Sequence, residues 1–369
     1  MLLLIRTFVF LVFPVAFLVG CKPPPENTEE TILRKQEDYK KFDIHTHYRY
    51  DREFLVPLLE KWNMKTLLVE VALVDSSNRT EKWEALKTQH NNYKDRFYLC
   101  AAFESSGIDD PSFADNIIAM LKDHLASGAR MVKVWKNHGM IIQDLSGAYV
   151  QIDDPRIQPV WDFLTEEKIP VIAHIGEPIQ AWRELEEGNP HYNYYKNHPE
   201  YHAYQHPEIP SWETIIAARD NWVAKNPNLL IVAAHMGSMS HDVGLVAERL
   251  DKYPNFYAET AARWGDIVRQ NSEVVRNFFI KYQDRLMYGT DLSSGKPPVE
   301  GLEEADKQLA ANIETMFEMD WQYLTTGDSM TFDDGMISFP IETKGIDLPD
   351  SVLKKFYYQN AVNILRTDQ

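Results

Sequence analysis

Val171-Ile172-Ala173-His174 is a short apolar run that stops at a histidine, and Val232-Ala233-Ala234-His235 repeats the pattern further along the chain. Met287-Tyr288-Gly289-Thr290-Asp291 has the same form with a carboxylate at its end, and Phe42-Asp43-Ile44-His45-Thr46-His47 closes on two histidines. Near-continuous apolar character over so few residues suits strands covered on both faces, as in a parallel sheet packed between helices. Working outward, the chain offers eight such segments. They are expected at Phe42–His47, Thr66–Val74, Phe97–Glu104, Met131–Trp135, Pro170–His174, Leu229–His235, Phe256–Glu259 and Leu286–Asp291. Helical patterns separate them, most plainly at Asp109–Ser127, Ser211–Asn226 and Asn271–Tyr282. The first opens on Asp109-Asp110-Pro111-Ser112 and ends at Ser127-Gly128, a sound start and stop.

Strand and helix in alternation predict an α/β protein, either a closed (β/α)8 TIM barrel or an open doubly wound sheet. The polar residues choose between them. They fall at the C-terminal ends of the first, fourth, fifth, sixth and eighth strands, and only a closed barrel brings all of those ends to one mouth. The barrel is expected to occupy residues 41–366, with an elaborated, aromatic and histidine-rich loop after the fifth strand (Gly176–Pro210) and extra helices at the C-terminal end.

The first twenty residues stand apart. They hold one charge, Arg6, in an otherwise apolar stretch that runs into Leu18-Val19-Gly20-Cys21. A charged start, an apolar middle and small residues before a cysteine predict a bacterial lipoprotein signal with Cys21 as the lipidated residue. An uncleaved membrane anchor is the alternative. Residues 21–40 begin proline-rich and continue charged, the composition of a flexible tether. The expected location is the bacterial cell envelope, lipid-anchored, with the outer membrane favoured by Lys22 after the cysteine.

Loss of Arg6 with the signal takes the net charge from −17 to −18, which speaks against nucleic acid as a partner. The expected partners are a small-molecule substrate and, through the lipid, a membrane; the sequence carries no signature of oligomeric state. If Cys21 bears lipid, Cys100 is left alone and the fold relies on its apolar core. With 44% apolar residues that core is ample.

Alternation along a strand sets His45 and His47 on one face, so both can meet one metal ion. A single strand-end histidine is usually a packed one, but four strand ends with ligand chemistry are not explained that way. This set resembles the amidohydrolase superfamily: His45-x-His47, His174, His235 in Ala-His-Met-Gly, and Asp291 in Tyr-Gly-Thr-Asp. It looks most like the amidohydrolase-related branch that includes aminocarboxymuconate-semialdehyde decarboxylases, as does Tyr358-Gln359-Asn360-Ala361 near the end. The resemblance implies that His45, His47, His174 and Asp291 hold one divalent cation, expected to be zinc, with His235 beside it as an acid/base or carbonyl-polarising group. Lys133, in the fourth strand, stands where binuclear members carry a carboxylated lysine bridging two metals. One metal is the expectation, with a Lys133-bridged pair as the alternative.

Lys133, Lys136, Glu177 and Arg263 are weaker candidates for substrate contact, and Asn137 and His138 leave the fourth strand beside Lys136. His191, His198, His202 and His206 lack tight ligand spacing and read as part of a polar aromatic lid. The leading expectation is a hydrolase that cleaves an amide, ester or lactone with metal-activated water, Asp291 taking the water's proton. A non-oxidative decarboxylase or hydratase on the same metal is the alternative. A lipid-anchored binding protein without catalysis is the reading from another class.

Overall fold

Eight short strands follow one another in chain order, each hydrogen-bonded in parallel to the next: β1 (Lys41–His47), β2 (Met64–Val69), β3 (Phe97–Ala102), β4 (Ala129–Val134), β5 (Val171–Ala173), β6 (Ile231–Ala233), β7 (Phe256–Glu259) and β8 (Leu286–Met287). The computed structural model describes residues 34–72, 79–295 and 301–367. The expected signal segment, Cys21, most of the tether and Val74 lie outside these residues. Lys35–Gln369 forms one compact unit. Among the described residues no helix is long and apolar enough to cross a membrane.

The sheet closes on itself. After β8 the chain turns through Tyr288–Asp291 into β9 (Leu292–Ser293), which pairs with β1. Ile44 donates its amide to Tyr288 O at 3.0 Å, and Asp291 donates to His45 O at 2.8 Å. β8 and β9 therefore act as one interrupted eighth strand, and the expected (β/α)8 barrel is the observed fold. The break falls where Asp291 takes a left-handed conformation (φ 68°), so the eighth strand is not the unbroken Leu286–Asp291 run that the sequence suggested.

Alternation sorts the core into two layers. Phe42, Ile44, Leu67, Val69, Cys100, Met131, Ile172, Val232 and Met287 fill the barrel interior. Their strand neighbours Leu68, Leu99, Val132, Val171, Ile231, Phe256 and Leu286 pack outward under the helices. Two helix starts are capped as their sequences suggest. Ser211 Oγ accepts from Thr214 N ahead of Trp212–Lys225, and Asn271 Oδ1 accepts from Glu273 N and Val274 N ahead of Ser272–Lys281. Before Phe113–Ala126 it is Asp110, not Ser112, whose carboxylate takes an amide, that of Ser112.

The expected C-terminal helices are present at Glu303–Thr325, Asp350–Lys354 and Asn360–Leu365. The last sends Ala361, Ile364 and Leu365 against the barrel interior. Asn360 Nδ2 bonds Gln283 O and Leu286 O where β8 begins, so this helix seals the end opposite the mouth. The sequence reading had no counterpart for the antiparallel hairpin β10 (Ser329–Phe332) and β11 (Ile341–Lys344).

Candidate active site

A bulge in β1 aims the first two histidines. Asp43 pairs with Thr66 and Thr46 with Leu68, so β1 spends one residue more than β2 over this stretch. Phe42 and Ile44 point into the barrel below the bulge, and His45 and His47 turn to the mouth above it. Asp43, fully buried, holds the bend. Its carboxylate accepts from His45 N (3.0 Å), Thr290 N (3.1 Å) and Thr290 Oγ1 (2.6 Å), tying β1 to the turn before Asp291.

At the mouth His45, His47 and Asp291 converge on one another. Asp291 Oδ1 lies 3.0 Å from His47 Nε2 and 3.4 Å from His45 Nε2. Burial alone would raise the pKa of Asp291, but His45, His47 and Lys133 overrule it and hold the carboxyl well below its usual range, hence ionised. His45, His47 and His235 each have a protein acceptor at Nδ1: Glu259 Oε1 (2.9 Å), Val69 O (2.9 Å) and Ala261 O (2.7 Å). Those partners assign the proton to Nδ1 in the neutral rings and leave the Nε2 lone pairs for a ligand.

His174 sits beside His235, ring centroids 4.1 Å apart. Its Nε2 is buried with no hydrogen-bond partner, a costly state unless another group comes to it. Burial, followed by the nearby Lys136, Lys133 and Arg263, pushes the His174 imidazole well down, so it is neutral. Three converging donors and this orphaned nitrogen suit a divalent cation with nitrogen and oxygen ligands.

His235 is held by an unusual backbone. His235, Met236, Gly237 and Ser238 all take left-handed φ values, from 55° to 63°. Side-chain residues in that region are strained, and such strain collects at functional sites. Four hydrogen bonds hold the turn. Ser238 Oγ donates to Ile175 O and Gly176 O, His235 N donates to Glu259 Oε1, and buried Arg219 donates to Gly237 O.

Glu259 was not singled out in the sequence, although it ends β7 as the histidines end their strands. Wholly buried, it receives His45 Nδ1, the His235 amide and the Ala261 amide. It fixes the His45 ring and the His235 backbone at once, and Gly289 leaves it room: a Cβ there would lie 2.5 Å from Glu259 Oε2.

The weaker candidates separate. Lys133 points up from the interior, its Nζ 3.0 Å from His45 Nε2, and burial lowers its pKa to about 8. Lys136 pairs closely with Glu177, bonds Tyr194 OH at 3.0 Å and lies 3.6 Å over the Tyr201 ring, so it fastens the lid. Arg263 lines the cavity above the ligand cluster with its Nε buried and unpartnered. Asn137 bonds Ala72 O and His138 pairs with Ser105, each within the packed wall. The four lid histidines take four different partners: His191 meets Asp266, His198 meets Glu200, His202 meets Arg183 O and His206 meets Pro199 O. Cys100 is packed inside the barrel and burial pushes its thiol up, away from reactivity.

The cavity over the cluster, about 140 Å³, is bounded by His174, His235, Asp291 and Arg263 below. The lid supplies His191 and Tyr194, and the C-terminal hairpin supplies Met336 and Ile337. Ser338 ties hairpin to lid by donating to Pro190 O and accepting from Asn193 N.

Among solved structures, the chain is similar to a probable 2-pyrone-4,6-dicarboxylic acid hydrolase from Acinetobacter baumannii, with 12% identity over 89% of this chain and 99% of that one and a TM-score of 0.48. It is also similar to 2,6-dihydroxybenzoate decarboxylase from Rhizobium, with 14% identity over 90% and 100% of the two chains and a TM-score of 0.48. A third is 5-carboxyvanillate decarboxylase from Novosphingobium aromaticivorans, with 12% identity over 90% and 97% and a TM-score of 0.47. No curated protein matches the sequence. The amidohydrolase family model matches residues 42–367, nearly the whole barrel and every residue of the ligand cluster. The chain belongs to the amidohydrolase family of metal-dependent enzymes.

Proposed function

We propose that this protein is a hydrolase that cleaves an amide, ester or lactone bond by activating water at the mouth of the barrel. The observation that carries the reading is Asp291: an ionised carboxylate, 28% exposed and open to the cavity, placed against His45 and His47. His45, His47, His174 and Asp291 are the residues that would hold a single divalent metal, with zinc favoured by the imidazole-rich set. Such an ion lowers the pKa of water towards neutrality and polarises a carbonyl.

The chain's own groups then divide the work. Asp291 takes the proton that the attacking water gives up. His235, neutral and with its Nε2 lone pair free, accepts a hydrogen bond or that proton in turn; once protonated, it steadies negative charge on the substrate oxygen. Glu259 keeps the His45 ring and the His235 backbone in register, and the lid and hairpin limit the entry of bulk water.

Arg263 supports a second reading. A buried guanidinium with an unpartnered Nε at the cavity wall suits a substrate carboxylate, as a non-oxidative decarboxylase would need. Turnover in 18O-labelled water separates the two. Hydrolysis predicts one solvent oxygen in the acid product and no carbon dioxide; release of carbon dioxide with no 18O in the product would sink it.

A further inference from the structure

The hydrolytic scheme leaves one proton unassigned. The one proton that the attacking water gives up goes to Asp291 or His235, and the departing oxygen or nitrogen needs a donor. His191, on the lid, lines the same cavity as His174, His235 and Asp291. It precedes the short helix Tyr192–Asn197, and its amide is fixed on Asn189 Oδ1 at 2.8 Å. Its Nε2 lies 3.0 Å from Asp266 Oδ2.

Asp266 is 3% exposed, and the loops after β5 and β6 converge on it. Ser240 Oγ, from the loop after His235, donates to Oδ2 at 2.5 Å. Gln180 Nε2, from the loop after His174, donates to Oδ1 at 3.2 Å. Asp266 itself follows Arg263 on the loop after β7. Burial would raise its pKa, but His191, Ser240 and Arg263 outweigh that and bring it to about 2. An ionised carboxylate this well enclosed fixes the ring of its partner, as in other carboxylate–imidazole pairs that do acid/base work.

We propose that His191, oriented by Asp266, is a catalytic residue that protonates the leaving oxygen or nitrogen of the substrate. This rests on the hydrolytic reading and narrows its substrate class to esters, lactones or amides whose leaving group is too basic to depart as an anion. The protonated ring keeps Nε2 on Asp266 and offers its proton at Nδ1. As the acyl C–O or C–N bond breaks, the electron pair passes to the leaving atom and the Nδ1 proton joins it. The water supplies hydroxyl to the acyl carbon; its remaining proton, taken by Asp291, returns through solvent to His191. Atoms and charge balance with water as the one co-reactant.

The test is a leaving-group series on the metal-loaded protein, using p-nitrophenyl, phenyl and ethyl esters of acetic and benzoic acid. His191→Gln is expected to lower kcat about a hundredfold or more for the ethyl esters and less than about fivefold for the p-nitrophenyl esters, which need no acid, with KM little changed. Asp266→Asn, a change to a positioning residue, should give the same ordering with smaller losses. The p-nitrophenyl esters report whether each variant is folded. An equal loss across the series, or none, overturns the proposal and leaves the hydrolytic reading standing. If the wild-type protein turns over no member of the series, that reading and this proposal fall together.

Discussion

Asp291→Asn is expected to lower kcat by about a thousandfold or more, near the middle of the range for removing a catalytic acid or base. That is about 4 kcal/mol of transition-state stabilisation. The substitution keeps the shape of the side chain and its place on the left-handed turn, but removes both the charge that faces His45 and His47 and the basicity that accepts water's proton. KM should change little, because the lost interaction is made with the reacting water and not with the substrate's remote parts. The variant should also bind metal more weakly, so its kinetics belong beside a metal analysis at saturation. Activity within tenfold of wild type, with metal bound, would remove Asp291 from the mechanism.

Arg219→Leu carries the largest expected effect on stability. Arg219 is 1% exposed, on the helix Trp212–Lys225, and its guanidinium joins Gly237 O to Asp220 and reaches the Phe256 ring. Leucine fills much of the space but leaves Gly237 O without its charged donor inside the protein. Leaving a buried carbonyl without its donor typically costs about 1–3 kcal/mol, while Asp220 keeps Arg249 as its partner. The strain of the His235–Ser238 turn adds to the consequence, since Arg219 is one of the few groups holding it. A shift of His235 by about 1 Å is enough to reduce kcat about a hundredfold. Urea unfolding and kcat of the same variant report both effects. A change below about 1 kcal/mol with unaltered kcat would show that the turn stands without Arg219.

The two effects mark where the sequence was legible. The eight strands could be read because each is a short apolar run, and their order followed because parallel strands separated by helices pair with their sequence neighbours. His45, His47, His174, His235 and Asp291 could be read because they end those runs, and the structure gathers all five at one mouth. The supporting groups could not. The partner of Asp43 is Thr290, 247 residues away, and nothing near Asp43 announces it. The same is true of Glu259, whose ring partner His45 lies 214 residues off. The bulge in β1 and the left-handed turn after β6 are backbone events settled by such contacts, so simple alternation described the histidines' direction without describing its cause.

The lid shows the same limit at its own scale. Its aromatic and histidine content gave its character, and the separate partners of its four histidines agree with a polar lid. What spacing did not reveal is that His191 belongs to an enclosed pair with Asp266, on another loop. Nor did it reveal that Met336 and Ile337, from a hairpin near the C-terminal end, complete the wall. Those residues sit far apart in sequence and meet only over the finished barrel.

We propose that catalysis depends on one metal ion held by His45, His47, His174 and Asp291. Chelator-stripped protein, titrated with zinc while bound metal and turnover are measured together, tests it most directly. No turnover is expected without metal, and a linear recovery should reach its maximum at one ion per chain. Full activity in metal-free protein, or a maximum reached only at two ions per chain, would contradict it.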